Sequence, residues 1–200
     1  MIGPGVSDDD EQSGRARAAL AHAVEHGLPV VVDAGVRGEH DGELARLLAA
    51  HGLAVTRAEV EAAPSTWARQ AADRTGATVL LKGHTTVVVG PHGLFAQADA
   101  PSWLATAGAG DVLAGVLGSL LAGRYDDIRA DAALVPVLAA VAALVHGRAA
   151  FRAGPGPVTA SAVAAALPGT VGALLTPAAA SRRAQRCFHE HHAGRRIVLR

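Results

Sequence analysis

The stretch Leu104-Ala-Thr-Ala-Gly-Ala-Gly-Asp-Val-Leu-Ala-Gly115 is the most informative segment of this 200-residue chain. Gly108 and Gly110 permit a tight backbone turn, and the apolar, helix-periodic run after Asp111 begins a helix. Such a turn, with Ala109 between its glycines, aims unpaired backbone N–H groups and the positive end of a helix dipole at one point. That point is an anion site suited to a phosphoryl group in transfer. Asp111, at the helix start, can take the proton of a substrate hydroxyl as it attacks phosphorus, or orient that hydroxyl. The same pattern also describes an ordinary aspartate capping a helix after a glycine turn.

Upstream lies Lys82-Gly-His-Thr-Thr86, between two apolar runs, Thr78–Lys82 and Thr85–Val89, that read as strands. Lys82 followed by Gly83 lets the backbone approach a phosphate closely, and the hydroxyls of Thr85 and Thr86 beside His84 add donors. The order of a Walker loop is absent. Of the 18 basic residues, Lys82 is the only lysine and the rest are arginine. The alternative is a plain hairpin carrying a surface lysine.

Further out, Gly90-Pro-His-Gly93 reads as a turn before a short strand, Leu94–Gln97. Arg15–His26, Gly42–Ala50 and Pro64–Thr75 read as helices, closed by Gly27 in the first case and Gly76 in the last. Pro29-Val-Val-Val-Asp33 has the continuous apolar character of a strand buried on both faces. From Asp111 onward the pattern is mostly helical. Strand, helix, strand and then a helix-rich end predict an α/β layered fold with a mainly parallel sheet.

A hydrophobic share of 50% against 18% charged residues supplies one buried core and excludes a disordered chain. The formal net charge of zero gives no overall field for nucleic acid or a membrane surface. Cys187 stands alone, which excludes an internal disulfide and any cysteine-based zinc or redox motif and suits a reducing cytoplasm. The N-terminus lacks the basic and apolar regions of a secretory signal. Two uncharged stretches resemble membrane spans in composition. Ala132–Gly147 falls short of the roughly 18 to 20 residues a span needs, and Ala153–Ser181 is broken by four prolines, so both read as buried helices. One domain over residues 1–175 is expected. A basic tail, 176–200, carries His189-Glu-His-His192, which lacks metal-ligand spacing and reads as a solvated, disordered segment.

Taken together, Leu-x-Lys82-Gly-x-x-Thr, Pro91-x-Gly93, Leu104-Ala-Thr-Ala-Gly-x-Gly-Asp-Val-Leu-Ala-Gly115 and His146-Gly-Arg-Ala-Ala150 resemble the ADP-dependent NAD(P)H-hydrate dehydratases. Gly3-Pro-Gly5, Val30-Val-Val-Asp-Ala34 and His40-Asp-Gly-Glu43 extend the similarity over most of residues 3–175. The resemblance implies a three-layer α/β/α ribokinase-like fold and a cofactor-repair reaction. In it the hydroxyl of hydrated NADH or NADPH (the S epimer) is phosphorylated at the expense of ADP, or ATP, with Mg2+, and phosphate is then expelled. It further implies that Lys82–Thr86 and Gly108–Gly110 contact the nucleotide, that Asp111 acts on the hydroxyl, and that Gly5 and His40 line the hydrate pocket. No protein metal ligand is implied. A cytoplasmic homo-oligomer and a functional link to an NAD(P)H-hydrate epimerase are expected.

The chain departs from that pattern. Gly3-Pro-Gly5 lies almost at its start, Asp33-Ala-Gly35 lacks the second acid of the family's Asp-Ala-Asp, and only Val36–Glu39 separate it from His40. A strand and a helix are missing between them, so the fold is incomplete relative to the family, mostly on the substrate side. An active, shortened dehydratase, a nucleotide-binding remnant without turnover, and an incorrectly assigned start and gap all fit these departures. A ribokinase-like kinase of a small alcohol such as a vitamin precursor shares the same anion hole.

Overall fold

The computed structural model describes residues 10–32, 40–91 and 93–176. Along the chain run α1 (Asp10–Glu25), α2 (His40–Ala50), α3 (Arg57–Ala62), α4 (Pro64–Thr75), β1 (Val79–Leu81), β2 (Thr86–Gly90) and β3 (Gly93–Gln97). A 3-10 turn (Ser102–Leu104) leads to α5 (Ala109–Gly123), α6 (Tyr125–Ala130), α7 (Leu134–Ala153) and α8 (Ala160–Leu175). The expected tail and its His189–His192 cluster lie outside the described residues, as do Gly5 and Asp33.

The three strands form one sheet in the order β1-β2-β3, and both pairings are antiparallel, with Leu81 opposite Val87 and Gly90 opposite Gly93. This corrects the expected mainly parallel sheet. The reason is connection length: parallel neighbours need a crossover of about a dozen residues or more, whereas these strands are joined by a few residues each. Of Pro29–Asp33, only Val32 takes part in a bridge among the described residues, so the expected full strand is not formed there.

Strand pleating separates two faces. Val79, Leu81, Val87 and Val89 pack with Leu44 and Leu48 of α2, Val60 of α3 and Ala68, Ala71 and Ala72 of α4. The opposite face meets α7, which packs against β2 and β3 and, on its other sides, against α5 and α8. The result is helices on both faces of a sheet, the expected α/β/α layering. α3 was not anticipated, although its signal was present: Thr56 and Glu59 form a reciprocal capping box, with Thr56 N–H donating to Glu59 Oε2 at 2.8 Å and Glu59 N–H donating to Thr56 Oγ1 at 3.3 Å. At the end of α4, Gly76 takes the left-handed conformation (φ 68°) expected of a terminating glycine.

α7 is long and apolar enough to cross a membrane, with mean hydropathy 1.8, yet over half of it is buried inside the protein. Most of its inward residues are small, Ala139, Ala142, Ala143, Gly147, Ala149 and Ala150, alongside Pro136, Leu138, Val145 and His146. Gly147 sets the closest approach, because a Cβ there would stand 2.2 Å from the Asp99 carbonyl oxygen. Arg148, the next residue, donates to Asp99 Oδ2 at 3.3 Å across the same seam. Gly147→Ala should therefore destabilise the protein by about 2 kcal/mol or more, the class of effect seen when a packed core is overfilled. Gly172→Ala, where nothing lies within 4 Å of the added methyl, should be neutral or stabilise by up to about 1 kcal/mol through helix propensity. Paired denaturant melts measure both.

Candidate functional site

β1 continues into Lys82, and its alternation puts Thr78, Leu80 and Lys82 on one side. These three line a cavity of about 150 Å³ together with Val30–Val32, Gly110, Leu113 and Leu117 of α5, and Val135 of α7. The cavity therefore brings together the lysine turn, the glycine turn and the Pro29-Val-Val-Val run, three segments the sequence singled out separately. In the bend that joins β1 to β2, Gly83 and His84 are exposed and Thr85 is half-buried, as is Thr86 at the start of β2.

The glycine turn has the geometry expected of it. Gly108 caps α5 with φ 81°, a conformation in which a side chain is strained. A Cβ there would also crowd Ala160 at 3.1 Å and reach 4.0 Å from Asp111 Oδ2. Ala109 N–H donates to Thr106 O at 3.2 Å, and Val112 N–H to Gly108 O at 3.2 Å. Among the described residues the N–H groups of Gly110 and Asp111 have no backbone acceptor. Two donors, and the helix dipole behind them, thus remain for an anion.

Asp111 is exposed in the first turn of α5, and its carboxylate makes no hydrogen bond or ion pair with another described residue. The capping position belongs to Gly108, so the reading of Asp111 as an ordinary cap does not hold. Lys82 likewise has no hydrogen-bond or ion-pair partner among the described residues. His40 opens α2. The expectation of a metal-free site concerned these turns. Elsewhere, the exposed His22, Glu25 and His26 of α1 bring their ligand atoms within 4.8 Å of one another.

One residue near the turns carries more than the sequence suggested. His146 reads as a hydrogen-bonded core histidine, but its Nε2 is buried with no partner, and the residue is 5% exposed. Burial, reinforced by the nearby positive charge of Lys82, pushes its pKa down from 6.5 to about 4, against a weaker upward pull from a backbone hydrogen bond with Ala109. His146 therefore lies near enough to Lys82 and to Ala109, the first residue of α5, to feel both. Nothing in the spacing of His146-Gly-Arg marks this.

A lysine and a glycine-turned helix start, facing one cavity in an α/β/α frame, define the class: a fold in which a helix terminus with free N–H groups and an adjoining hairpin meet at one cavity. Solved structures share this architecture. The Bacillus subtilis ADP/ATP-dependent NAD(P)H-hydrate dehydratase co-crystallised with ATP and Mg2+ superposes with a TM-score of 0.66 over 86% of this chain and 62% of that one, at 22% identity. The chain belongs to the NAD(P)H-hydrate dehydratase family, whose model matches residues 39–171.

Curated relatives include the bifunctional NAD(P)H-hydrate repair enzyme Nnr of Mycobacterium tuberculosis, 39% identical over 142 residues covering 61% of this chain and 28% of that protein. The ADP-dependent (S)-NAD(P)H-hydrate dehydratase of Neisseria meningitidis is 44% identical over 84 residues, covering 42% of this chain and 27% of that protein. The chain thus spans under a third of the length of these two relatives. Against the mycobacterial protein, 61% of 200 residues is about 122, so about 20 of the 142 aligned positions lack a counterpart here. The 84 residues aligned with the Neisseria protein make up the stated 42% of this chain without such a shortfall.

The depressed histidine makes folding stability depend on pH. An unfolded His146 binds a proton near pH 6.5 and the folded one only near 4, so its contribution is present above pH 6.5 and is lost as pH falls towards 4. Stability should drop by roughly 2–3 kcal/mol over that window, an order-of-magnitude conversion of the shift. Denaturant titrations at pH 7 and pH 4.5 should show this, and His146→Gln should flatten the difference.

Proposed function

We propose that this chain is a nucleotide-dependent dehydratase of hydrated NAD(P)H, acting on the S epimer and consuming ADP to AMP and phosphate. The observation that carries the reading is the shared cavity, with Lys82 and Gly110 on its wall and the exposed, unpaired carboxylate of Asp111 adjoining. In this reading Lys82, Gly83, His84, Thr85 and Thr86 hold the nucleotide from the hairpin, and Gly108, Ala109 and Gly110 hold it from the head of α5. The frame is read as the ribokinase-like arrangement of the family, within a domain spanning residues 1–175 and followed by the tail.

The chemistry needs two things at one place. A hydroxyl attacks a phosphoryl group, its proton leaves, and negative charge builds on the transferring oxygens. Asp111 accepts the proton. The free N–H groups of Gly110 and Asp111, the α5 dipole and Lys82 stabilise the charge. Breakage of the C–O bond of the phosphorylated carbon, with loss of a proton from the neighbouring ring carbon whose C–H electrons form the double bond, then expels phosphate and restores the nicotinamide ring, and the same donors stabilise the departing anion. Each round converts one ADP and one hydrate to AMP, phosphate and NAD(P)H.

Mg2+ fits this site. It binds through one or two carboxylates together with substrate phosphates and keeps several waters, and Asp111 offers a carboxylate oxygen that no other described residue occupies. When bound, the ion would offset phosphate charge. Gly5 and His40 complete the reading on the hydrate side. The names of the relatives support the substrate class, and the bifunctional mycobacterial protein supports a link to an epimerase. A cytoplasmic homo-oligomer is part of the same proposal.

A second reading, a nucleotide-binding remnant without turnover, is favoured by the aligned positions that lack a counterpart here. One assay separates the two. With hydrate, ADP and Mg2+, the dehydratase regenerates the absorbance of NADH, and Asp111→Asn should lower kcat about 10²–10⁴-fold, the usual worth of a positioned general base. Lys82→Ala should raise the KM for ADP about tenfold, as expected for loss of one charge-assisted phosphate contact. Calorimetric ADP binding by a wild-type chain that regenerates no NADH would establish the remnant instead.

A further inference from the structure

The end of α1 reads His22-Ala-Val-Glu25-His26. On a helix, residues four apart sit one turn apart on the same face, and the two imidazoles accordingly lie together, with ring centroids 4.1 Å apart. Glu25 reaches the same place: each of the three offers a ligand atom, and these atoms lie within 4.8 Å of one another. All three residues are exposed, so an ion has free access to them. The Glu25 carboxylate has no hydrogen-bond or ion-pair partner among the described residues.

The backbone holds this group in place. His26 N–H donates to the His22 carbonyl at 3.1 Å, Gly27 N–H to Val24 O at 3.2 Å and Leu28 N–H to Ala23 O at 2.8 Å. With Gly27 left-handed at φ 61°, this is a Schellman closure, and it fixes His26 as the cap residue of α1. His26 Nδ1 lies 2.8 Å from the same His22 carbonyl oxygen. A carbonyl oxygen only accepts, so Nδ1 carries the proton and the lone pair falls on Nε2. Metal-binding histidines are oriented in this way, by the ring N–H that does not face the ion. The negative end of the helix dipole adds to the attraction for a cation.

A capping role accounts for His26 alone and requires neither the His22 ring nor the Glu25 carboxylate. Two imidazole nitrogens and a carboxylate oxygen are a donor set for zinc-class ions, whereas Mg2+ takes oxygen ligands. Tetrahedral Zn2+, with bonds of about 2.0–2.1 Å, needs ligand atoms roughly 3.3 Å apart, a spacing that small rotations of three exposed side chains supply. Three protein ligands leave the fourth position to water.

We propose that His22, Glu25 and His26 bind a zinc-class divalent ion, with water in the fourth position, and that the ion clamps the last turn of α1. No other described element packs extensively against α1, and a helix of 16 residues is marginal in water without such packing. A ligand that binds only the formed turn stabilises it by mass action. The site is independent of the nucleotide-binding reading given above.

Cys187 and the His189–His192 cluster also offer ligands, so the test uses the full chain carrying Cys187→Ser, His189→Ala, His191→Ala and His192→Ala as background. By calorimetry with Zn2+ alone, this background should bind the ion, Co2+ should give the visible d–d bands of a four-coordinate site, and Mg2+ at equal concentration should displace neither. His22→Ala and His26→Ala, added singly, should each weaken Zn2+ binding at least about tenfold, and Glu25→Gln about threefold or more. Zn2+ should also slow backbone amide exchange over residues 22–28.

A background chain that binds no Zn2+ overturns the site, as does an affinity unchanged when His22→Ala and His26→Ala are combined. Binding that leaves amide exchange in α1 unchanged overturns the clamp. Should a variant fail to fold by circular dichroism, the Co2+ spectrum and the exchange measurement on the background chain decide.

Discussion

The close seam between α7 and the chain leaving β3 governs the rest of the molecule. At Gly147 there is no room for even one methyl group beside the Asp99 carbonyl, and α7 is the element that touches the sheet, α5 and α8 at once. Alanine lines half of its inward face. A small side chain buries little apolar area by itself, so cohesion there comes from how near the backbones come and how many dispersion contacts that nearness allows. The alanine-rich composition is therefore compatible with a packed core only because the helices sit close, and that closeness also carries the head of α5 towards the lysine turn.

Much of the fold was legible because the sequence punctuates itself. Gly90-Pro-His-Gly93 announced the β2–β3 turn, and Gly76 announced the end of α4. Strand direction was harder to read. A strand of Val-Val-Val is equally apolar whether its neighbour runs parallel or antiparallel, and the overall order of elements suggested a parallel sheet. The short connections decided otherwise, and they were visible in the spacing all along. Pro29-Val-Val-Val misled in a different way: its residues face a cavity shared with Thr78, Leu80 and Lys82, so their apolar character reflects what they line more than any regular ladder. α3 escaped because six residues give too little periodicity to count, and only the Thr56–Glu59 box betrayed it.

The candidate site divides along similar lines. Lys82, Gly108, Gly110 and Asp111 were legible because glycine at a helix start and a solitary lysine are unusual in themselves. Their meeting at one cavity was not, since 24 residues, mostly strand, turn and loop, separate Lys82 from Ala107 and spacing alone does not bring them together. His146 was illegible for a sharper reason. A histidine in an apolar helix looks the same whether its nitrogens are satisfied or not, and only three-dimensional packing reveals that one of them lacks a partner. The substrate side, represented by Gly5 and Asp33, lies outside the described residues, and the aligned positions without counterpart agree with the shortening visible between Asp33 and His40.

The β1–β2 hairpin has a consequence for the order in which the site comes into being. Its register, with Leu81 opposite Val87, closes a loop of a few residues, and contacts so near in sequence form quickly and at small entropic cost. The head of α5 reaches its place only through packing with α7, whose contact with Asp99 joins residues far apart in sequence. The lysine half of the proposed anion site is thus assembled from neighbours and the helix half from strangers. An anion bridging the two would bind only the fully docked molecule, and by mass action would lock the α7 seam shut: the ligand would act as a fastener for the same joint that builds its own site.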